Sequence, residues 1–181
     1  MKTRTRRTRH VCAMLLASVA VLAATASKAD DRVDFTIVAR VRFAVPGDWV
    51  VLTSKSDKNR TIFAFQIPNP ADDKTPDSTN LTVQSYYLKD SASKVEFERK
   101  SPKQNPSAQE RKLADQWDCA SFQGSQGPTS YDVWDCHRTV GEAGIYVRLA
   151  WPHLPKNPSD YDQQMQSVLA DVLASVVPSP K

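Results

Sequence analysis

The segment from Trp117 to Arg138, WDCASFQGSQGPTSYDVWDCHR, contains the triplet Trp-Asp-Cys twice, at 117–119 and 134–136. A Gly-rich turn, Gly124 to Pro128, lies between them. The pattern predicts a β-hairpin closed by a disulfide between Cys119 and Cys136. If these two face each other across antiparallel strands, the centre of the pairing falls between Gly127 and Pro128, where the turn residues stand. Gly-Pro is not a favoured two-residue hairpin turn, so a longer loop is expected around it. Strand alternation then places Trp117 and Trp134 on the cysteine face, with Trp117 opposite Arg138 and Trp134 opposite Ser121. That face reads as core. Closing the loop should stabilise the fold by about 3 kcal/mol in the chain-entropy description.

The other face of this hairpin would carry Asp118 across from His137, with Asp135 diagonal to both. A carboxylate beside His137 would raise its pKa and orient its ring. The sharper interpretation is a general base or part of a metal site. The plainer one is an exposed cross-strand ion pair, which contributes little. With no nucleophile, further His or further Cys at ligand spacing, the plainer interpretation is preferred, and no metal or cofactor is assigned. The chain also lacks a Gly-x-Ser-x-Gly elbow, a His-Glu-x-x-His helix, a phosphate loop and a Cys-x-x-Cys motif, so it is read as non-enzymatic.

Residues 1–29 have the order of a secretory signal peptide. Lys2, Arg4, Arg6, Arg7 and Arg9 precede an apolar or small-residue run, Val11 to Ala26. Cleavage is expected after Ala29, before Asp30-Asp31, with Ala26 as the alternative. The run is too short and too poor in large apolar residues for a convincing membrane anchor. The residues after Arg6-Arg7 are polar, which favours general secretion over twin-arginine export. Cys12 precedes the apolar run and should leave with the leader.

Removing the leader changes the charge. Six of the 24 Lys and Arg lie in residues 1–29 with no acid, leaving 18 bases against 20 acids and a formal net charge of −2. No basic surface argues for nucleic acid. Two remaining cysteines in an exported chain imply an oxidising compartment. The periplasm is expected, with the cell exterior as the alternative.

From Val33 to Val45, apolar residues alternate as in one or two half-buried strands. Pro46-Gly47-Asp48 is a turn, Trp49 to Leu52 opens a strand, and Lys55 to Asn59 is a polar turn. Thr61–Ile67 and Leu81–Leu88 read as strands, and Ile145–Trp151 as a later one. Asp72, Asp73 and Asp77 lie in a proline-rich loop that lacks the spacing of a calcium loop. Ser93 with Glu96 fits a capping box for a short helix to about Lys100, and Ser107 with Glu110 fits a second. Arg99, Lys100 and Lys103 read as a solvated basic face, and His153 as a surface residue. Tyr161, Met165, Val168, Leu169, Val172, Leu173 and Val176 form the stripe of a C-terminal helix capped by Ser159 or Asn157, with Asp160 and Asp162 favoured by its dipole. The predicted fold is a single α+β domain, residues 30–181. It is an antiparallel sheet covered by this long C-terminal helix and one or two short helices.

Three stretches resemble the PsbP-like group, which includes extrinsic photosystem II subunits, Ran-binding Mog proteins and small exported bacterial proteins. They are Phe43-Ala44-Val45-Pro46-Gly47-Asp48-Trp49, the strand Gly144 to Trp151, and the helix Ser159 to Val177. The resemblance implies a PsbP-like layered sandwich without shared catalytic residues, which binds other proteins or supports an envelope complex.

Three functions follow as expectations. The first is a periplasmic protein-interaction or envelope accessory module, with an immunity or inhibitor protein against a toxin or hydrolase as a variant. The second is a small-ligand binder with an apolar cleft lined by Trp49, Trp117, Trp134 or Tyr146; burial of this set would argue for core instead. The third is an enzyme using Asp118, Asp135 and His137. The first is preferred, with a protein partner in the envelope and no transmembrane segment once the leader is cut.

Overall fold

The computed structural model describes residues 31–68, 79–155 and 157–180. The expected leader with Cys12, and Asp72, Asp73 and Asp77, lie outside the described residues. Among the described residues there are ten strands: β1 (Arg32–Ile37), β2 (Val41–Pro46), β3 (Val50–Ser56), β4 (Arg60–Gln66), β5 (Asn80–Tyr87), β6 (Gln109–Arg111), β7 (Asp118–Gln126), β8 (Thr129–Val140), β9 (Ala143–Pro152) and β10 (Val177–Pro178). The helices are α1 (Ser91–Arg99) and α2 (Tyr161–Ser175). One sheet has three strands in the order β1-β2-β10, and the other has seven in the order β3-β4-β5-β9-β8-β7-β6.

This overturns the expected single sheet covered by a long C-terminal helix and one or two short helices. Strands dominate, in two sheets, and the two helices among the described residues are short. The cause lies in the Val33–Val45 alternation. A 3-10 turn at Val38–Arg40, with positive φ at Ala39 and Arg40, folds that stretch into the β1–β2 hairpin. The hairpin shares the work of covering the large sheet. Phe35 and Phe43 from the small sheet pack on Phe63 and Phe65 of β4, with Phe35 ring centroids 4.9 and 5.2 Å from the latter two. Buried Tyr161, Met165, Leu169, Val172 and Leu173 of α2 join the same core. On the other face of the sheet, Phe97 of α1 packs with Tyr86 and Tyr146. An ideal Cβ on Gly144 would lie only 2.6 Å from the Phe97 ring, so the bare backbone of β9 is what lets α1 seat.

The β7–β8 pairing has the predicted register: Cys119 faces Cys136, Asp118 faces His137 and Ser121 faces Trp134. The disulfide joins the cysteines with their Cα atoms 4.1 Å apart. The connection is tighter than expected, because Gln126 already pairs with Thr129 and only Gly127 and Pro128 lie between. Gly127 takes φ +59, and the negative φ of proline suits the next position, as a type II′ turn requires.

Other local expectations also shift. Strand β3 continues to Ser56, through part of the expected polar turn. At α1 the cap is Asp90, which accepts from the Ser93 N–H at 2.8 Å, while Glu96 pairs with Arg60. Around Ser107–Glu110 the predicted helical turn is replaced by β6, whose Gln109 pairs with Ser121 on β7. The N-cap of α2 is Asp160, and Asn157 instead donates from Nδ2 to the Pro152 carbonyl at 2.8 Å.

Candidate functional site

The large sheet brings the sequence-predicted residues into two different environments. Trp49, Trp117, Trp134 and Tyr146 are at most 9% exposed. Trp49, Trp117 and Trp134 share one apolar cluster with Cys119 and Cys136, while Tyr146 lies in the cluster under α1. These aromatics are packed in the core, and of the four only Trp134 and Trp117 also reach the edges of open depressions.

On the opposite face, Asp135 is buried and fully engaged. It accepts from Arg148 Nε at 2.7 Å and Nη2 at 2.8 Å, and from the Tyr146 hydroxyl at 2.9 Å. Burial, then the charge of Asp135, push the Tyr146 pKa well above its ordinary value. The hydrogen bond to Asp135 holds Arg148 in its charged form. His137 donates from Nε2 to the Phe97 carbonyl at 3.1 Å and stacks on the Phe97 ring at 3.7 Å. Burial pushes its pKa below the ordinary 6.5, against the smaller opposing effects of the Phe97 carbonyl and Asp118. The expected upward shift is thus reversed. Asp118 is exposed, faces His137 in register and acts on it only as the smallest of the three influences. The three groups do not converge on a common reacting atom.

An open groove lies on the helix-covered face of the disulfide hairpin. The groove, of about 860 Å³, runs between α2 and the β6 edge of the sheet. Its floor is Ser121, Gln123, Asp132 and Trp134 of β7 and β8; its walls include Gln109, Arg111 and Lys112 on one side and Asp162 and Gln166 on the other. Arg111 is positioned by donating from Nε to Ser121 Oγ at 2.9 Å and from Nη2 to Gln109 at 2.6 Å. At the far end, the buried Trp151 indole donates to Asp162 Oδ1 at 2.7 Å, and His153 Nε2 lies 2.9 Å from Asp132 Oδ2. A separate depression of about 440 Å³ lies farther along α2, between Ala170 and Ala174 on the helix and Leu113, Ala114, Asp115 and Trp117 opposite.

Asp132, His153 and Asp162 each place one ligand atom within 4.8 Å of the others. Three protein ligands of these types are the number an open transition-metal site uses. Here the three are also satisfied without an ion, by the His153–Asp132 pair and the Trp151–Asp162 bond.

Sequence reasoning did not assemble this groove. Asp162 was visible only as a first-turn acid and His153 only as a surface residue. The missed signal was on β8, where Asp132 has the parity of Trp134 and Cys136. A carboxylate at a core-face position marks the place where the apolar layer opens.

No family model and no curated protein matches the sequence. The structure is similar to a protein from Bacteroides thetaiotaomicron, with a TM-score of 0.49 and 20% identity, covering 82% of this chain but only 48% of that one. It is also similar to the Saccharomyces cerevisiae Ran-binding protein Mog1p, with a TM-score of 0.49 and 6% identity over 81% of this chain and 95% of that one. A variant of protein Mog1 gives the same score at 7% identity, over 82% and 96%. At this distance the likeness assigns no residue a role. No helix among the described residues is long and apolar enough to cross a membrane.

Proposed function

We propose that this chain is an exported, non-enzymatic binding module of the cell envelope that engages a protein partner through the groove between α2 and β6. The observation that carries this reading is the contrast in how polar groups are used. Asp135 and His137, the best acid–base candidates, are committed to Arg148, Tyr146 and Phe97. The groove instead presents accessible side chains of both charges with amides and hydroxyls between them. Such a surface suits recognition by hydrogen bonds and ion pairs, with an apolar scaffold beneath. Burial of Trp49, Trp117, Trp134 and Tyr146 argues against an apolar small-ligand cleft.

The test is capture from envelope extracts with the exported protein and with Gln166→Trp, which fills the groove from the helix wall. The reading predicts a specific partner retained by the wild type and lost with Gln166→Trp. Equal capture by both proteins would remove the groove from the account.

A further inference from the structure

The charges in the groove are sorted by position. Arg111 and Lys112 stand at the β6 wall, whereas Asp132 and Asp162 stand at the far end near the start of α2. Arg111 is in register with Cys119 and hence with Cys136. Asp132 lies two strands across from β6 and four positions along β8 from Cys136. With strands about 4.8 Å apart and about 3.4 Å per residue, the two backbone positions are separated by about 17 Å.

Two neighbouring depressions line the flank of α2, the groove at Asp162 and Gln166 and a second one at Ala170 and Ala174. At 1.5 Å per helical residue this flank measures about 18 Å. An extended chain covers that length in about five residues. A compact ligand would leave one charged end unanswered.

We infer that the groove takes an extended peptide segment of the partner, with a basic side chain at the Asp132–Asp162 end and an acidic one about four or five residues away at Arg111 and Lys112. This rests on the reading of the groove as the binding surface. Asp132 has only His153 as an ion-pair partner, and Asp162 and Lys112 have none among the described residues. The basic side chain would therefore meet two carboxylates beside a single imidazole. The spacing of the opposite charges then selects the partner.

The experiment is selection of a random dodecapeptide phage library on the intact exported protein, followed by affinity measurement of the selected peptides on three variants. The expected result is enrichment of peptides carrying Lys or Arg four or five positions from Asp or Glu. Their affinity should fall at least tenfold with Lys112→Glu and again with Asp132→Asn, and should be lost with Gln166→Trp. Substituting the peptide's acidic residue by Lys should restore binding to Lys112→Glu. Selected peptides that lack the charge pair but are lost with Gln166→Trp would overturn the charge inference and leave the groove as the binding surface. Peptides that bind Gln166→Trp unchanged would overturn both. If no peptide is enriched, the groove does not recognise an extended segment and the inference falls, while partner capture with Gln166→Trp still decides the groove itself.

Discussion

The two faces of the β7–β8 hairpin have the same strand register and opposite character. One buries Trp117, Cys119, Trp134 and Cys136 in the main core. The other carries Asp118, Asp135 and His137, and each of the last two is held by residues from outside the hairpin. The first face carries a covalent bond within the hairpin and packs into the shared apolar core. The second depends on distant partners, Arg148 and Tyr146 of β9 and Phe97 of α1. Asp135 and His137 thus fasten β9 and α1 to the hairpin.

Breaking the local face should give the largest effect. With 17 residues of sequence separation, replacing both cysteines by Ala should lower unfolding free energy by about 3 kcal/mol, measured by urea denaturation. The oxidised wild type in reductant should approach the same value.

Breaking the distant face should cost nearly as much. Asp135→Ala leaves Arg148 and the buried Tyr146 hydroxyl without their acceptor, and should cost about 2–3 kcal/mol because the Arg148 side chain keeps partial access to water. Replacing Asp135 and Arg148 together with apolar residues of similar volume should recover much of that loss, which would show that the unpaired charge is what costs.

A smaller effect should come from the seat of α1. Gly144→Ala drives a methyl group into the Phe97 ring and should cost about 1–3 kcal/mol. The His137 stack on Phe97 should be disturbed at the same time, visible as a change in its imidazole chemical shifts.

The pH dependence sharpens the comparison further. The folded-state pKa of His137 lies below the unfolded value near 6.5, chiefly because burial disfavours its charged form. Its contribution to stability is therefore complete above pH 6.5 and is lost as the pH falls through the folded-state pKa. Urea midpoints should drop more steeply on the acid side for the wild type than for His137→Gln. The smallest effect belongs to the partly exposed pair at the groove. His153→Ala should change stability by less than about 1 kcal/mol.

These contrasts explain what could be read from the chain. The hairpin register follows from local symmetry, with turn, triplets and alternation all pointing to one pairing. The α2 stripe follows from helical periodicity. The division into two sheets was hidden because the turn at Ala39 and Arg40 uses no glycine or proline and sits inside an unbroken alternating pattern. Strand β6 was hidden because Ser107 and Glu110 fit a helix start, while the open edge of β7 offers the backbone partners that decide the matter. The groove was hidden because its walls come from segments far apart in sequence: the β6 region, β8 and α2.

The most direct test of the account places a photo-crosslinking benzoylphenylalanine at Gln166 in the groove or at Val95, exposed on α1 across the sheet, in the producing cell. The account predicts a specific crosslinked protein from the Gln166 position and none from Val95. A crosslink from Val95 alone would contradict it and move the functional surface to the face of Asp135 and His137.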